Sequence, residues 1–249
     1  MKMIYRTKRL FGDVCIMAAA LLTLALALVS CDDHEFFDSN VHPGHVLCSD
    51  GSVLSQDEFF AQDRVRAEGV VFSDVLDDGT YLAVLLQGGY PKAFCDSVGM
   101  VLGTSGSLTE LDGFANTSSM QNSYSEKTGH GSPLALSVFS SHVYGQSDFI
   151  PSVAEIRRLY AARHTVNGVL ERLKKMEDGQ GRLLYAVDLL DLSGESGAWY
   201  WTSTEVLENK GMQAWLFSMA SGVIHETPKT EAHPYRAVVR VHPYNVNSN

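Results

Sequence analysis

"WYWTSTE", Trp199–Glu205, sets two tryptophans and a tyrosine directly before a run of hydroxyl residues. In an extended strand side chains alternate, so Trp199, Trp201 and Ser203 share one face while Tyr200, Thr202 and Thr204 share the other. Two indoles and a phenol are a large apolar load, and burying them makes the segment a core strand rather than an exposed platform. Strand patterns continue downstream. Gln213–Met219 and Val223–Thr227 flank Ala220-Ser221-Gly222, a hairpin signal. In "YRAVVRV", Tyr235, Ala237, Val239 and Val241 point one way and Arg236, Val238 and Arg240 the other. Arg236 and Arg240 are expected to pair with carboxylates such as Glu205 or Glu155, a task that suits a bidentate guanidinium.

Upstream of that strand the pattern is helical. Ser152 followed by Glu155 has the capping-box form, and Ile156, Leu159 and Tyr160 recur at helical spacing. A second helix is expected over about 165–175, burying Val166, Val169, Leu170 and Leu173. The capping box fully explains Glu155, so it is not read as catalytic. Nearer the start, Val46–Ser55 reads as a small hairpin around Ser49-Asp50-Gly51. Val70–Phe72 and Tyr81–Leu86 read as strands joined through Asp77-Asp78-Gly79, and the second should lie centrally. Clustered aspartates also invite calcium, but the EF-hand spacing with its distal glutamate is absent. From Pro91 to Gly131 the chain is rich in Gly, Ser, Thr and Asn and reads as a long loop, followed by a short helix within Ser132–Ser140.

The first thirty residues read as an export signal. Lys2, Arg6, Lys8 and Arg9 precede the apolar run Val14–Val29, whose sixteen residues fall short of the roughly 20 that a spanning helix needs. The run ends in Leu28-Val29-Ser30-Cys31, which resembles a bacterial lipobox, so residues 1–30 are expected to be removed and Cys31 to carry lipid. Residues 31–44 then form an acidic tether, and 45–249 a single domain with an N-terminal hairpin extension. Removing four basic residues and Asp13 takes the chain from 19 Lys and Arg against 29 Asp and Glu to 15 against 28, a formal charge of −13. That balance argues against nucleic acid as a partner. After Cys15 and Cys31 are set aside, Cys48 and Cys95 remain. An oxidising compartment allows them to form a disulfide, and the sequence leaves open whether they do. Two isolated cysteines lack zinc-ligand spacing, and no metal or cofactor is expected.

Taken in order, "IPSVAEI", "WYWTSTE", "AWLFSMASG" and "YRAVVRV" resemble the domain found at the C-terminus of the Legionella collagen-like protein and in the Fibrobacter major paralogous proteins. "CSDGSV", "GVVF" and "DGFANT" further look like surface lipoproteins of Bacteroidota that carry this domain, and the likeness covers about residues 46–243. The resemblance implies an α+β, C-type-lectin-like fold, with two helices flanking small irregular antiparallel sheets and long loops. Ser152, Glu155, Tyr200, Trp201, Trp215, Arg236 and Arg240 would be its structural motif. Ile150 stands where the pattern has leucine, Thr202 where it has serine, and Cys95 where none is expected.

The same resemblance implies a non-enzymatic binding or adhesion protein, lipid-anchored to the outer membrane and facing the cell surface. A glycan or a surface protein would be its partner. Binding belongs on the loops that a rigid scaffold carries, here Gly103–Gly131 and Leu189–Ala198. Trp199 or Tyr144 would stack a sugar ring, and Asp112, Asn116 and Glu195 would bond its hydroxyls. The alternative is an anchor or tip subunit of a fimbrial or other surface complex. A formylglycine-generating-type enzyme fits poorly, since the asparagine-x-tryptophan-glutamate-tryptophan motif is missing. The Gly103-Thr104-Ser105-Gly106 stretch misses the nucleophile-elbow spacing by one position.

Overall fold

The computed structural model describes residues 40–138, 142–143, 146–193 and 199–242. The export segment, Cys31, the acidic start of the tether, Tyr144 and Glu195 lie outside the described residues. The compact unit begins at Val41. The Gly44 amide donates to the Val71 carbonyl at 2.8 Å, so the last residues assigned to the tether belong to the fold.

Among the described residues the chain is mixed helix and sheet, with four α-helices and small antiparallel sheets. The largest sheet has five strands in the order β12-β4-β3-β1-β2, from β1 (Val46–Cys48), β2 (Val53–Leu54), β3 (Ala67–Val71), β4 (Tyr81–Leu85) and β12 (Val238–Val241). β4 lies inside it, as its unbroken apolar run required. β8 (Trp199–Glu205), β9 (Gln213–Ser218) and β10 (Ile224–Pro228) form a second sheet, and β5 (Gly89–Ala93) pairs with β11 (Ala232–Tyr235). A short ribbon joins β6 (His142–Val143) to β7 (Gln146–Ser147).

Burial answers the question that Trp199–Glu205 raises. Every residue from Tyr200 to Glu205 is buried, because β8 lies between two apolar clusters. Tyr200 and its β9 partner Phe217 face the cluster under the long helix, while Trp201 and Leu216 face another built with Phe94, Leu102, Met120 and Leu134. The Trp201 indole donates to the Lys92 carbonyl at 2.9 Å and meets Phe94 edge-on at 5.4 Å. A third cluster covers the other face of the five-stranded sheet, with Leu47, Val71, Ala83 and Val239. Trp215, expected in the core, is only half-buried and belongs to none of the three apolar clusters.

The helices are α1 (Gln56–Phe60), α2 (Gly113–Gln121), α3 (Pro133–Leu136) and α4 (Val153–Lys174). α4 begins at the expected capping box. Ser152 Oγ accepts from the Glu155 amide at 3.3 Å, and Glu155 Oε2 accepts from the Ser152 amide at 2.7 Å. Two helices were expected here, and the structure has one. His164 and Thr165 are weak helix formers, but no proline intervenes and Ile156, Leu159, Val166, Val169, Leu170 and Leu173 form one buried stripe. Fully burying each such side chain contributes about 1.5–3 kcal/mol, which outweighs the propensity penalty.

α2 lies inside the stretch read as loop. Its buried side chains include Asn116 and Thr117, and the Thr117 hydroxyl donates to the Gly113 carbonyl at 2.7 Å while accepting from the Ile150 amide at 3.0 Å. Gly113 is required at its start: a Cβ there would lie 2.1 Å from Glu155 Oε2 and 2.8 Å from the Ile150 carbonyl oxygen. Gly113→Ala is therefore expected to destabilise the protein by about 1–3 kcal/mol through overpacking, read from denaturant unfolding. An unchanged midpoint would contradict this packing.

One open question is answered and one further expectation corrected. Cys48 and Cys95 are both free thiols, because each is buried in a different apolar cluster. Burial pushes the Cys48 thiol up to about 11 and raises that of Cys95. "YRAVVRV" is not one strand: β11 ends at Tyr235 and β12 starts at Val238, in different sheets. The break falls at Arg236, which is 1% exposed and donates to two main-chain carbonyls, Leu85 at 2.9 Å and Asp188 at 3.0 Å.

Candidate functional site

That same break opens a groove. Where β11 leaves for its own sheet, the start of β3, the turn from β4 to β5 and the segment after α4 are left around a cavity of about 460 Å3. Arg66, Glu68, Gln87, Asp148, Tyr185 and Tyr235 supply its chemistry. Arg66 donates through Nη2 to the Leu184 carbonyl at 2.6 Å and lies 5.1 Å from the Tyr185 ring centroid, a cation–π position. The Tyr185 hydroxyl accepts from the Ala67 amide at 3.3 Å, which fixes the ring against β3.

The floor depends on two glycines. A Cβ on Gly89 would stand 1.9 Å from Cζ of Tyr235, and one on Gly88 would stand 3.3 Å from Nη1 of Arg236. The bare backbone therefore lies flat on a phenol ring and a buried guanidinium. Gly88 also donates its amide to Asp188 Oδ2 at 3.0 Å. Burial is the main influence on Arg236 and disfavours its charge, while Tyr200 and Asp188 act the other way. Arg236 thus holds main chain, where pairing with a carboxylate was expected. Its Nε, buried, has no hydrogen-bond partner.

Chemically the groove offers both donors and acceptors. Arg66 donates, Glu68 accepts, the Gln87 amide does both, and Arg66 and Gln87 are exposed at the surface. Arg66 and Glu68 carry opposite charges, and Asp148 adds a buried carboxylate to the lining.

The loop residues proposed from sequence do something else. Asp112 and Asn116 are brought together, with Asn116 Nδ2 donating to Asp112 Oδ1 at 2.8 Å. The Ser105 hydroxyl donates to Asp112 Oδ2, and the Ser105 amide donates to Asn116 Oδ1 at 3.0 Å. Asn116 is buried, and this ring ties Ser105 to the start of α2 instead of offering Asn116 to a ligand. Trp199 is half-buried at the start of β8, edge-on to His225 at 6.1 Å, and is not on the groove's lining.

Of the expected arginine pairs, Arg240 keeps one. Its Nη1 donates to Asp78 Oδ2 at 2.9 Å, its Nη2 donates to the Leu111 carbonyl at 3.2 Å, and Glu155 Oε1 stands 3.7 Å from Nη2. That last distance is within ion-pair range but too long for a hydrogen bond. Desolvation therefore dominates and pushes the Glu155 carboxyl up to about 7, against the opposing Ser152 amide and Arg240.

Glu205 pairs with a residue the sequence reading overlooked. Lys229 is 1% exposed and donates to Glu205 Oε1 at 2.6 Å, to the Lys210 carbonyl at 2.7 Å and to the Met100 carbonyl. Glu205 also accepts from the Leu102 amide at 2.9 Å and from the Thr104 amide at 3.2 Å and hydroxyl at 3.1 Å. This node clamps the loop after β5 onto β8. Among the described residues, no three His, Cys, Asp or Glu side chains converge as a metal-ligand set.

No family model matches the chain, and no curated protein is similar to it.

Proposed function

We propose that this is a non-enzymatic, C-type-lectin-like binding protein of the bacterial cell envelope, exported and lipid-anchored through Cys31, which takes a polyhydroxyl ligand such as a glycan in the Arg66–Glu68 groove. The observation that carries the reading is the groove itself, where aromatic rings stand beside hydrogen-bond donors and acceptors, on a backbone floor that Gly88 and Gly89 allow to lie against Tyr235 and Arg236. Concave sites with a few fixed polar groups among aromatics are the usual form of small-ligand sites. Support for the lectin-like fold comes from a long capped helix packed on small antiparallel sheets, with the first and last described strands belonging to one sheet.

The test is a glycan array probed with the full-length chain in detergent micelles, with and without calcium. The expected result is binding to a related set of glycans that falls at least about tenfold in Arg66→Ala and in Glu68→Gln, the loss of one charged hydrogen bond each. A silent array from folded protein, or binding unchanged in both variants, would overturn the reading.

A second reading, an anchor or tip subunit of a surface complex, is favoured by a different observation. Val98, Val101, Leu207 and Met212 are all exposed, between 46% and 68%, on two loops joined where the Gly99 amide donates to the Gly211 carbonyl at 2.9 Å. Adjoining exposed aliphatic side chains of this kind mark contact surfaces. A stable partner captured from detergent-solubilised membranes, and lost in Val101→Asp, is the result that reading requires.

A further inference from the structure

A second cavity, of about 440 Å3, opens beside the start of α2 and is lined by Leu111, Asp112, Phe114, Ala115, Phe149 and Arg240. Phe114 is 47% exposed, on a helix whose buried face is largely polar. It meets the buried Phe149 edge-on at 6.0 Å and 87°, so the two rings form an aromatic wall with one member open to solvent. Leu111 and Ala115 extend the apolar surface.

The charge around this wall is unbalanced. Arg240 spends Nη1 on Asp78 and Nη2 on the Leu111 carbonyl, and Glu155 stands behind it at 3.7 Å. Asp112 adds a further carboxylate on the lining, so Asp78 and Asp112 stand against the one guanidinium of Arg240, with Glu155 buried and adding its charge only as pH rises through about 7; His242 is the other titratable side chain there. Each Asp112 oxygen accepts one side-chain hydrogen bond, from Asn116 and from Ser105, and a carboxylate oxygen has a second lone pair to offer. An anion entering the cavity meets this acidic surplus, finds both Arg240 Nη groups engaged, and cannot reach the unpartnered Nε, which is buried. A cation with an apolar body meets an acceptor and an aromatic face together.

We propose that this cavity binds a small organic ammonium, its charged group at the Asp112 carboxylate and its apolar or aromatic body against Phe114. The site is separate from the Arg66–Glu68 groove and stands or falls independently of it.

The test compares 2-phenylethylammonium with the similarly sized anion 3-phenylpropionate by titration calorimetry on the full-length chain in micelles, with the micelle alone as blank. The expected result is saturable binding of the ammonium and at least about tenfold weaker binding of the carboxylate. Phe114→Ala should weaken ammonium binding about tenfold. Ala115 is exposed on the wall and outside the Asp112 hydrogen-bond ring, so charges can be placed there without disturbing the fold. Ala115→Lys should weaken ammonium binding and Ala115→Asp should strengthen it. Equal binding of the two compounds, no saturable ammonium binding across the millimolar range, or indifference to the charge at position 115 in folded variants would overturn the proposal.

Discussion

Replacing Lys229 with methionine is expected to destabilise the protein by about 3–5 kcal/mol, the usual result of removing one partner from a buried ion pair. Lys229 and Glu205 are 1% and 0% exposed and 2.6 Å apart, with their remaining polar capacity spent on the main chain of residues 100–104 and 210. Methionine keeps the aliphatic stem but leaves the Glu205 charge buried with only neutral donors, the Leu102 amide and the Thr104 amide and hydroxyl. Urea unfolding reads the loss directly. Changing Glu205 to glutamine in the same chain removes the stranded charge and should restore part of the stability, so the two substitutions are strongly non-additive. Amide exchange at Leu102 and Thr104 should also quicken in Lys229→Met. A loss below about 1 kcal/mol would mean that the pair is not buried as described.

The second large effect concerns pH. The folded-state Glu155 carboxyl titrates at about 7, above its ordinary value of 4.5, so the folded protein holds this proton more tightly than the unfolded chain. The associated stability is full below pH 4.5 and is lost as pH rises through about 7. Between pH 5 and 8 the wild type should lose about 2–3 kcal/mol from this group alone. Glu155→Gln keeps an acceptor for the Ser152 amide and does not ionise. Relative to wild type it should be near neutral at pH 5 and more stable at pH 8, read by denaturant unfolding at both. Variant and wild type with parallel pH profiles would show that Glu155 is solvated or firmly paired with Arg240.

Much of the scaffold was legible because its signals are local. The Ser152–Glu155 capping box, the turns at Ser49-Asp50-Gly51 and Ala220-Ser221-Gly222, and the apolar run of β4 each depend on neighbours in sequence, and each is where the residues placed it. Trp199–Glu205 could be read as core because no exposed strand carries such a load without cover. α2 could not, since Met120 is the one large apolar side chain on its buried face, beside Asn116 and Thr117, whose hydrogen bonds reach Asp112 and Ile150. The division of Tyr235–Val241 into two sheets was hidden as well. Alternation runs smoothly through Arg236, and only carbonyls at Leu85 and Asp188, distant in sequence, make the chain turn there.

The candidate site was less legible still. Sequence reasoning looked to the long loops and to hydroxyl-bonding residues within them, yet Asp112 and Asn116 use those groups on each other and on Ser105. The groove draws on Arg66, Gln87, Asp148, Tyr185 and Tyr235, separate stretches of chain that only the sheets bring together. The one local sign was Gly88-Gly89 at the end of an apolar strand, a place where backbone must approach something closely. Lys229 gave no such sign: a lone lysine after a strand reads as solvated.

Amide chemical-shift mapping of the isotope-labelled protein during titration with the strongest glycan from the array addresses the central proposal most directly. Saturable shifts concentrated at Arg66–Glu68, Gln87–Gly89 and Leu184–Ala186 are the predicted result. Shifts confined to Gly103–Asn116 or to the Trp199–His225 surface, with the groove silent, would contradict it.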